Sequence, residues 1–472
     1  MHSRYLAILL AFVIAFAFNS ESTSQTTDEP ATGPLRLCKE NPRYFTDDSG
    51  QAIFLTGSHH WYNLVDMGPT DPPPKLDYTA YLDWMSELNH NFMRMWAWEL
   101  VTWKISGNAA DIRNKNTLYY ISPFLWQRTG PGKALDGKPK FNLDKFNPAY
   151  FERMRSRVIE ARDRGIYVSV MLFEGYGLQR IKDSLKSHPF HKENNINGIN
   201  GDKNGDGLGV EIHELVNPDI LAIQKKYIKK VIDTVNDLDN VLYEISNENH
   251  PESTPFQYAM IDFIHDYEKS KAKQHPVGMT FQFKGGSNQD LYNSPADWIS
   301  PNPDGGYRDN PPANKGGKVI ITDTDHLWGI GGNQAWLWKS VCRGLNPIFM
   351  DRYDGTIIGK KFDPRWESIR KSMGYARRMA NRMNFTTMIP HGDLVSTKYC
   401  LAEPGVKYLI YLPKGQQVEI DLSNAKGRYT SFWFNPNNRE RQRGKEINGG
   451  AKQTLTSPFG EVDAVLLIQK SQ

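Results

Sequence analysis

Cysteine is scarce in this chain, with Cys38, Cys342 and Cys400 the only three in 472 residues. Three cysteines permit one disulfide in an exported protein, but they cannot form the framework that stabilises small secreted domains. No cysteine or histidine spacing resembles a zinc site. The length allows one large domain and a small one.

A strong charge of either sign is also missing, since the formal net charge is only +4. No lysine- or arginine-rich arm is present, so we expect no nucleic-acid partner. No glycine-rich phosphate loop follows the first predicted strand, which counts against a dinucleotide-binding fold. The sequence carries no signal for an oligomeric state.

One apolar run stands out, Tyr5–Phe18, with basic residues before it and polar residues after it. It is shorter than the roughly 20 residues that span a bilayer. We expect a signal peptide over residues 1–20, with Ala15–Ala17 as a cleavage site, and a disordered linker over residues 21–33. The protein is then secreted or periplasmic and has no transmembrane span after cleavage; the alternative is an uncleaved anchor.

Apolar strand-like runs alternate with helical patterns between residues 34 and 384. Asn147-Pro148 and Asn217-Pro218 are each a capping residue followed by a first-turn proline. Such alternation predicts parallel strands with right-handed crossovers, and eight repeats favour a closed (β/α)₈ TIM barrel over an open sheet. The predicted strands are Gln51–Ser58, Phe92–Trp98, Ile166–Phe173, Val241–Asn247, Val277–Phe281, Trp298–Ile299, Lys318–Thr322 and Asn346–Met350.

The helical pattern ends at Asn384, and short strands separated by glycine, proline and asparagine turns follow. This change predicts a small C-terminal antiparallel β-sandwich over residues 385–472. Two roles stay open for it: carbohydrate binding through Trp433, or packing that supports the barrel. We favour packing.

Nearly every predicted barrel strand ends in polar side chains, and the strand starting at Val241 ends in Ser246-Asn247-Glu248-Asn249-His250. The carboxyl ends of the strands form the active-site face of a TIM barrel, so Glu248 is predicted to be a catalytic acid/base. Candidate substrate contacts at these strand ends are His59, His60, Trp61, Arg94, Trp96, Glu174, Asn247, His250, His326, Trp328, Asp351 and Arg352.

Hydrolysis of a glycosidic bond needs two carboxyl groups, about 5–5.5 Å apart in retaining enzymes and about 6.5–9.5 Å apart in inverting ones. Strands four and seven face each other across the barrel mouth, so Glu248 is predicted to face Asp323 or Asp325. Asn247 would then bind a sugar hydroxyl. Aromatic faces for sugar C–H groups would come from Trp61, Trp96 and Trp328.

The chain also resembles a known group of enzymes. Ser246-Asn247-Glu248 and Arg94 resemble the clan of retaining (β/α)₈ glycosidases that includes cellulases and β-galactosidases. The resemblance implies that Glu248 is the acid/base. The opening residues, Asn41–Gly50 and Ile53–Ser58, resemble more narrowly the apiosidase-like secreted bacterial proteins, which carry a small C-terminal β domain labelled collagen-binding.

The chain departs from that clan at the nucleophile, which the clan supplies as a glutamate ending strand seven. Asp323 takes that place here, and Asp325 lies two residues on. We favour Asp323 slightly. A carbohydrate-binding protein without activity is one alternative, and a metal-dependent hydrolase using His59, His60, His250, His326 and the aspartates is another.

Asp202-Lys-Asn204-Gly-Asp206-Gly207 matches the first half of a calcium-binding loop. The twelfth position is His213 rather than glutamate, so the motif is incomplete, and Glu211 or Glu214 is the candidate to complete the shell. A solvated turn is the simpler interpretation. No cofactor is expected to be required for activity, and the expected partner is a carbohydrate.

Overall fold

The computed structural model describes residues 29–104, 117–353 and 363–471. The predicted signal peptide and most of the predicted linker lie outside these ranges. The end of the linker does not fit the prediction of disorder, because Ala31 is buried and its amide donates to the Arg162 carbonyl at 2.8 Å. Among the described residues, none of the helices is both long and apolar enough to cross a membrane.

Eight parallel strands in the described residues form the predicted TIM barrel, in which β2 to β8 are hydrogen-bonded in sequence order and β8 also pairs with β1. Between β1 and β2, the amide of Asn91 donates to the carbonyl of Thr56 at 2.9 Å. The strands are β1 (Gly57–His59), β2 (Phe92–Met95), β3 (Tyr167–Glu174), β4 (Val241–Asn247), β5 (Val277–Thr280), β6 (Trp298–Ser300), β7 (Val319–Asp323) and β8 (Asn346–Met350).

The helices between the strands begin where the sequence places capping residues. The side chain of Asn217 accepts from the amide of Ile220, and that of Asn147 accepts from Ala149, each just before a proline. The described helices are α1 (Tyr78–Glu87), α2 (Pro148–Arg162), α3 (Tyr176–Arg180), α4 (Pro218–Val235), α5 (Thr254–Glu268), α6 (Asn288–Asn293), α7 (Thr324–Trp328), α8 (Gln334–Cys342) and α9 (Glu367–Met383).

The long insertion after β2 contains β structure. Its described strands are Thr102–Trp103, Tyr119–Ser122, Trp126–Lys133 and Pro139–Phe146. Asp66–Gly68, which follows β1, pairs with Tyr119–Ser122. The first barrel strand is shorter than predicted, because Ile53 instead pairs with Phe45 outside the barrel sheet.

The C-terminal region folds as antiparallel sheets against the barrel. Trp433 is only 5% exposed and lies in the apolar core of this domain, so the supporting role is favoured over sugar binding through Trp433. Phe434 makes edge contacts with Trp338 on α8 and Tyr375 on α9. One sheet contains Ile389–Pro390, Cys400–Glu403, Lys407–Leu412, Ala464–Lys470, Arg428–Phe434, Arg441–Arg443 and Ile447–Asn448, and the other contains Gln417–Asp421 and Lys452–Thr456.

The two domains are held together by packing. All three cysteines, Cys38, Cys342 and Cys400, lie in described residues, and each is buried and unpaired. The thiol of Cys342 on α8 lies 3.8 Å from the carbonyl of Leu409 in the C-terminal sheet. The one disulfide that the composition permitted is therefore not formed.

Candidate active site

Arg94, on β2, lies at the centre of the candidate site. Its side chain is fully buried, and its guanidinium donates two hydrogen bonds to Glu244 on β4, at 2.9 and 2.5 Å. It also donates to Asp323 at the end of β7, at 2.8 Å, and to the amide oxygen of Asn247, at 2.6 Å. The guanidinium lies 5.0 Å from the ring centre of Trp96. The planar guanidinium therefore ties β2, β4 and β7 together inside the barrel mouth.

Asp323 has donors on both carboxylate oxygens. Oδ1 accepts from the Asp325 amide at 2.9 Å and lies 3.0 Å from Nε2 of His59, while Oδ2 accepts from Arg94. Nδ1 of His59 accepts from the indole of Trp96 at 3.0 Å, and because an indole N–H only donates, the His59 proton faces Asp323. Burial opposes ionisation of Asp323, but His59 and Arg94 outweigh it and hold its pKa below the ordinary value.

Asp325 and Glu248 form an interacting pair of buried carboxyl groups. Asp325 is 5% exposed, and its Oδ2 lies 3.4 Å from Nη1 of Arg94. Burial and the charge of Asp323 raise the pKa of Asp325 to about 8. Glu248 is 7% exposed, and burial followed by the charge of Asp325 raises its pKa well above the ordinary value. The charge of Asp325 therefore adds to burial in favouring the protonated form of Glu248.

The backbone at Glu248 is in an uncommon conformation, with φ of 45° in a residue other than glycine. Such a conformation costs on the order of 1–3 kcal/mol and is concentrated at functional sites. Two contacts hold this turn in place. Gln179 donates to the Glu248 carbonyl at 2.8 Å. Gly175 packs so closely that a Cβ there would lie 2.5 Å from Cα of Asn249.

Polar neighbours of the pair are themselves fixed by hydrogen bonds. Nε2 of His326 lies 3.3 Å from the amide oxygen of Asn247, and its Nδ1 lies 2.8 Å from the Ser300 hydroxyl. Burial raises the pKa of Glu174 to about 8, and its carboxylate accepts from the Gly177 amide at 2.9 Å. The charge of Glu174 also raises the pKa of Glu248, so three carboxyl groups with raised pKa values share this region.

A second group of acids and imidazoles lies beside the first. Nε2 of His213 lies 2.9 Å from Glu99, and His188 lies 3.6 Å from it. Burial would raise the pKa of Glu99, but these imidazoles lower it to about 2. His250, two residues after Glu248, pairs through Nε2 with Glu214 at 3.0 Å. Glu214 therefore fixes the orientation of the His250 ring.

The three predicted aromatic platforms differ in exposure. Trp61 and Trp96 are 8% and 2% exposed, and Trp96 is occupied by its contacts with Arg94 and His59. Trp328, at the end of α7, is half-buried and makes an edge contact with Trp336, with 5.4 Å between ring centres. Trp328 is therefore the most exposed of the three, although the guanidinium of Arg308 lies 5.6 Å from its ring centre, while Trp96 positions Arg94.

Three of the predicted substrate contacts have partners outside this cluster. His60 packs among aromatic rings, including Tyr81 on α1 with 4.5 Å between ring centres. Asp351 forms a bidentate ion pair with Arg370 on α9, with hydrogen bonds of 2.7 and 2.5 Å. Arg352 is buried, and its guanidinium lies 3.6 Å from a carboxylate just before α9. A polar residue after a strand can either contact a substrate or join the barrel to its helices. The sequence alone does not distinguish these two roles.

The metal-dependent alternative has one candidate group in the described residues. The donor atoms of Asp323, Asp325 and His326 lie within 4.8 Å of one another. Both nitrogens of His326 already have hydrogen-bond partners, and the guanidinium of Arg94 lies between 2.8 and 3.4 Å from the two carboxylates. Because Arg94 already supplies the positive charge, the group is better suited to carboxylate chemistry than to holding a metal.

The sequence prediction omitted two residues that shape the site. Glu244 accepts two hydrogen bonds from Arg94, and its signal was a charge within the apolar strand β4, which requires a buried partner of opposite sign. Tyr176 begins α3, and burial and then the charge of Glu248 raise its pKa to about 12. The position of Tyr176 depends on the turn after β3, which no residue pattern in the sequence predicted.

We expect Arg94→Met to lower the free energy of unfolding by about 3–5 kcal/mol, because it leaves Glu244 and Asp323 buried without a counter-charge. Arg162→Met is the matched control, since Arg162 pairs at the surface with Asp163 at 2.8 Å. That surface pair is worth about 0–1 kcal/mol. Denaturant unfolding measures both variants. Equal stability of the two would contradict the central role of Arg94.

Two family models match parts of the chain. Residues 114–283 match the model of a domain of unknown function, DUF6298, and residues 386–469 match one described as "Putative collagen-binding domain of a collagenase". No curated protein matches the chain in sequence.

Two solved structures share the fold over nearly the whole chain. One is a glycoside hydrolase with a TM-score of 0.58 and 13% identity, aligned over 93% of this chain and 97% of that one. The other is a family 5 glycoside hydrolase from Bacteroides vulgatus ATCC 8482, with a TM-score of 0.59 and 14% identity over 93% and 94% of the two chains. At this identity the likeness shows the fold, a TIM barrel with a β domain.

Proposed function

We propose that this protein is a secreted glycoside hydrolase that cleaves O-glycosidic bonds in a poly- or oligosaccharide by a retaining double displacement. Glu248 is the acid/base and Asp325 is the nucleophile. The observation that carries the proposal is the placement of these two buried carboxyl groups, both with raised pKa values, just after β4 and β7 at the carboxyl-terminal face of the barrel. The fold shared with glycoside hydrolases supports it.

The choice of Asp325 over Asp323 follows from their hydrogen bonds. Asp323 is 0% exposed, and both of its oxygens are occupied by donors, so neither is available to attack an anomeric carbon. Asp325 has a single long contact with Arg94 at 3.4 Å. Asp323 therefore positions Arg94 and the start of α7, while Asp325 faces the reaction.

The protonation of the pair also suits the two roles. Repulsion in a buried site disfavours two charges on the pair, and because the pKa of Asp325 is raised to about 8, its ionised form predominates only above that pH. Arg94 lies against Asp325, so the negative charge is stabilised there and the proton stays on Glu248. A protonated glutamate can donate to the leaving oxygen while the ionised aspartate attacks. After the first step, Glu248 is ionised and can accept a proton from water.

Digestion of a polysaccharide and oligosaccharide panel by the purified mature chain tests the proposal. We expect release of reducing sugar from at least one substrate, with NMR showing that the first-formed anomer keeps the configuration of the bond cleaved. An inverted first product would exclude the double displacement. Binding of a glycan without any hydrolysis would support the alternative, a carbohydrate-binding protein on the same barrel.

A further inference from the structure

The loop between α3 and α4 contains a second group of acidic side chains, separate from the Glu248 pair. Asp202, Asn204 and Asp206 are spaced as the first three ligands of a calcium loop, with glycine at the sixth position. We propose that this loop binds a calcium ion and that Glu211 completes its ligand set.

The backbone of the loop is already folded as such a site requires. Gly207, at the sixth position, has φ of 80°, and its amide donates to Oδ1 of Asp202 at 3.2 Å. Asn204 and Asp206 accept from backbone amides at 2.9 and 2.8 Å. Each of these oxygens has a second lone pair, so the turn can form and the oxygens can still bind a cation.

Glu211 provides independent evidence for a ligand. Its side chain is only 5% exposed, and Oε1 accepts from the amides of Lys203 and Asn204 at 2.7 and 3.1 Å, which fixes the carboxylate against the loop. Oε2 is buried and has no hydrogen-bond partner. A buried carboxylate oxygen without a partner is costly, and a cation held by the loop would satisfy it.

The charge of the loop is also uncompensated. Within the described residues, Asp202, Asp206 and Glu211 form no ion pair, and Lys203, the nearest lysine in sequence, donates instead to the Val216 carbonyl. The three carboxylates and the amide oxygen of Asn204 would supply an all-oxygen ligand set, which suits calcium. The donor atoms of the three carboxylates do not all lie within 4.8 Å of one another, so they must draw together around the ion. Of the two candidates to complete the set, Glu214 is already paired with His250.

The proposed ion would also support the wall of the active site. His213 follows Glu211 by two residues and pairs with Glu99 at 2.9 Å, and Glu214 pairs with His250 at 3.0 Å. Ordering the loop therefore fixes two residues beside the Glu248 turn. Calcium binding does not depend on the proposed glycosidase function, and a failure of either can be seen separately.

Thermal unfolding of the mature chain tests the site. We treat the protein with EDTA, remove the chelator, and add either Ca²⁺ or Mg²⁺. We expect Ca²⁺ at about 100 times its Kd to raise Tm by about 3–5 °C and Mg²⁺ to raise it less. Calorimetric titration with Ca²⁺ should give one site per chain. An unchanged Tm together with no binding heat would overturn the proposal.

Three charge-neutralising variants locate the ion. Glu211→Gln and Asp206→Asn keep the side-chain oxygens that accept the backbone hydrogen bonds, so both should fold, yet both should lose most of the Ca²⁺-dependent Tm shift. Glu446→Gln, which removes an exposed charge in the C-terminal domain, should keep the full shift. A shift of equal size in all three variants would place the ion elsewhere and refute the assignment.

Discussion

Glu248→Gln (E248Q) should lower kcat on a natural glycan by about 10²–10⁴-fold, because the amide cannot donate a proton to the leaving oxygen. An aryl glycoside with a good leaving group needs no such proton in the first step, so its first turnover should be spared. Rapid-mixing measurements of aryl release should then show an initial burst followed by slow turnover, since the substituted amide cannot activate the water of the second step either.

The matched control is Glu252→Gln, an exposed glutamate four residues along the same loop. It should keep activity on both substrates within about two-fold, as expected of a surface change away from the reacting groups. Stability provides a second control. E248Q should unfold at the same denaturant concentration as the parent or a higher one, because it replaces one of three buried carboxyl groups, Glu174, Glu248 and Asp325, with a neutral amide. Full activity of E248Q on the natural glycan would refute the role of Glu248.

The barrel was predictable from sequence because its signals are local and repeated. β4 and β8 begin and end where the apolar runs do, and α2 and α4 begin after the predicted asparagine caps. The first strand was predicted too long because the apolar residues within Gln51–Ser58 indicate burial. Burial alone does not reveal which strand a residue pairs with. In the C-terminal domain, short strands such as Arg441–Arg443 are exposed and carry no apolar alternation.

The sequence predicted which residues lie at the strand ends that form the site. It did not predict which of them contact each other. Glu248 and Arg94 follow from where their strands end. The contrast between His59, which faces Asp323, and His60, which packs against α1, follows from the alternation of side chains along a strand. The sequence could not show where that alternation starts. Which of the two aspartates, Asp323 or Asp325, is held by hydrogen bonds depends on Arg94, which lies more than 200 residues away in the sequence.

Asp325→Asn (D325N) should abolish turnover, by on the order of 10⁴–10⁶-fold, on natural and activated substrates alike. An amide cannot attack the anomeric carbon, so unlike E248Q this variant should show no burst of aryl release. It should not lose stability, because it removes a carboxyl group whose ionised form is disfavoured by burial and by the charge of Asp323. Burst kinetics and denaturant unfolding of the same preparation measure both effects.

Asp323→Asn (D323N) is the control that separates the two aspartates, because asparagine has the same shape and can still accept from the Asp325 amide. It loses the charge paired with Arg94 and His59, so we expect it to destabilise the fold by about 3–5 kcal/mol. Below its unfolding temperature it should still release the aryl group with repeated turnover, since Asp325 and Glu248 are intact. The opposite pattern, with D323N stable but inactive and D325N active, would make Asp323 the nucleophile.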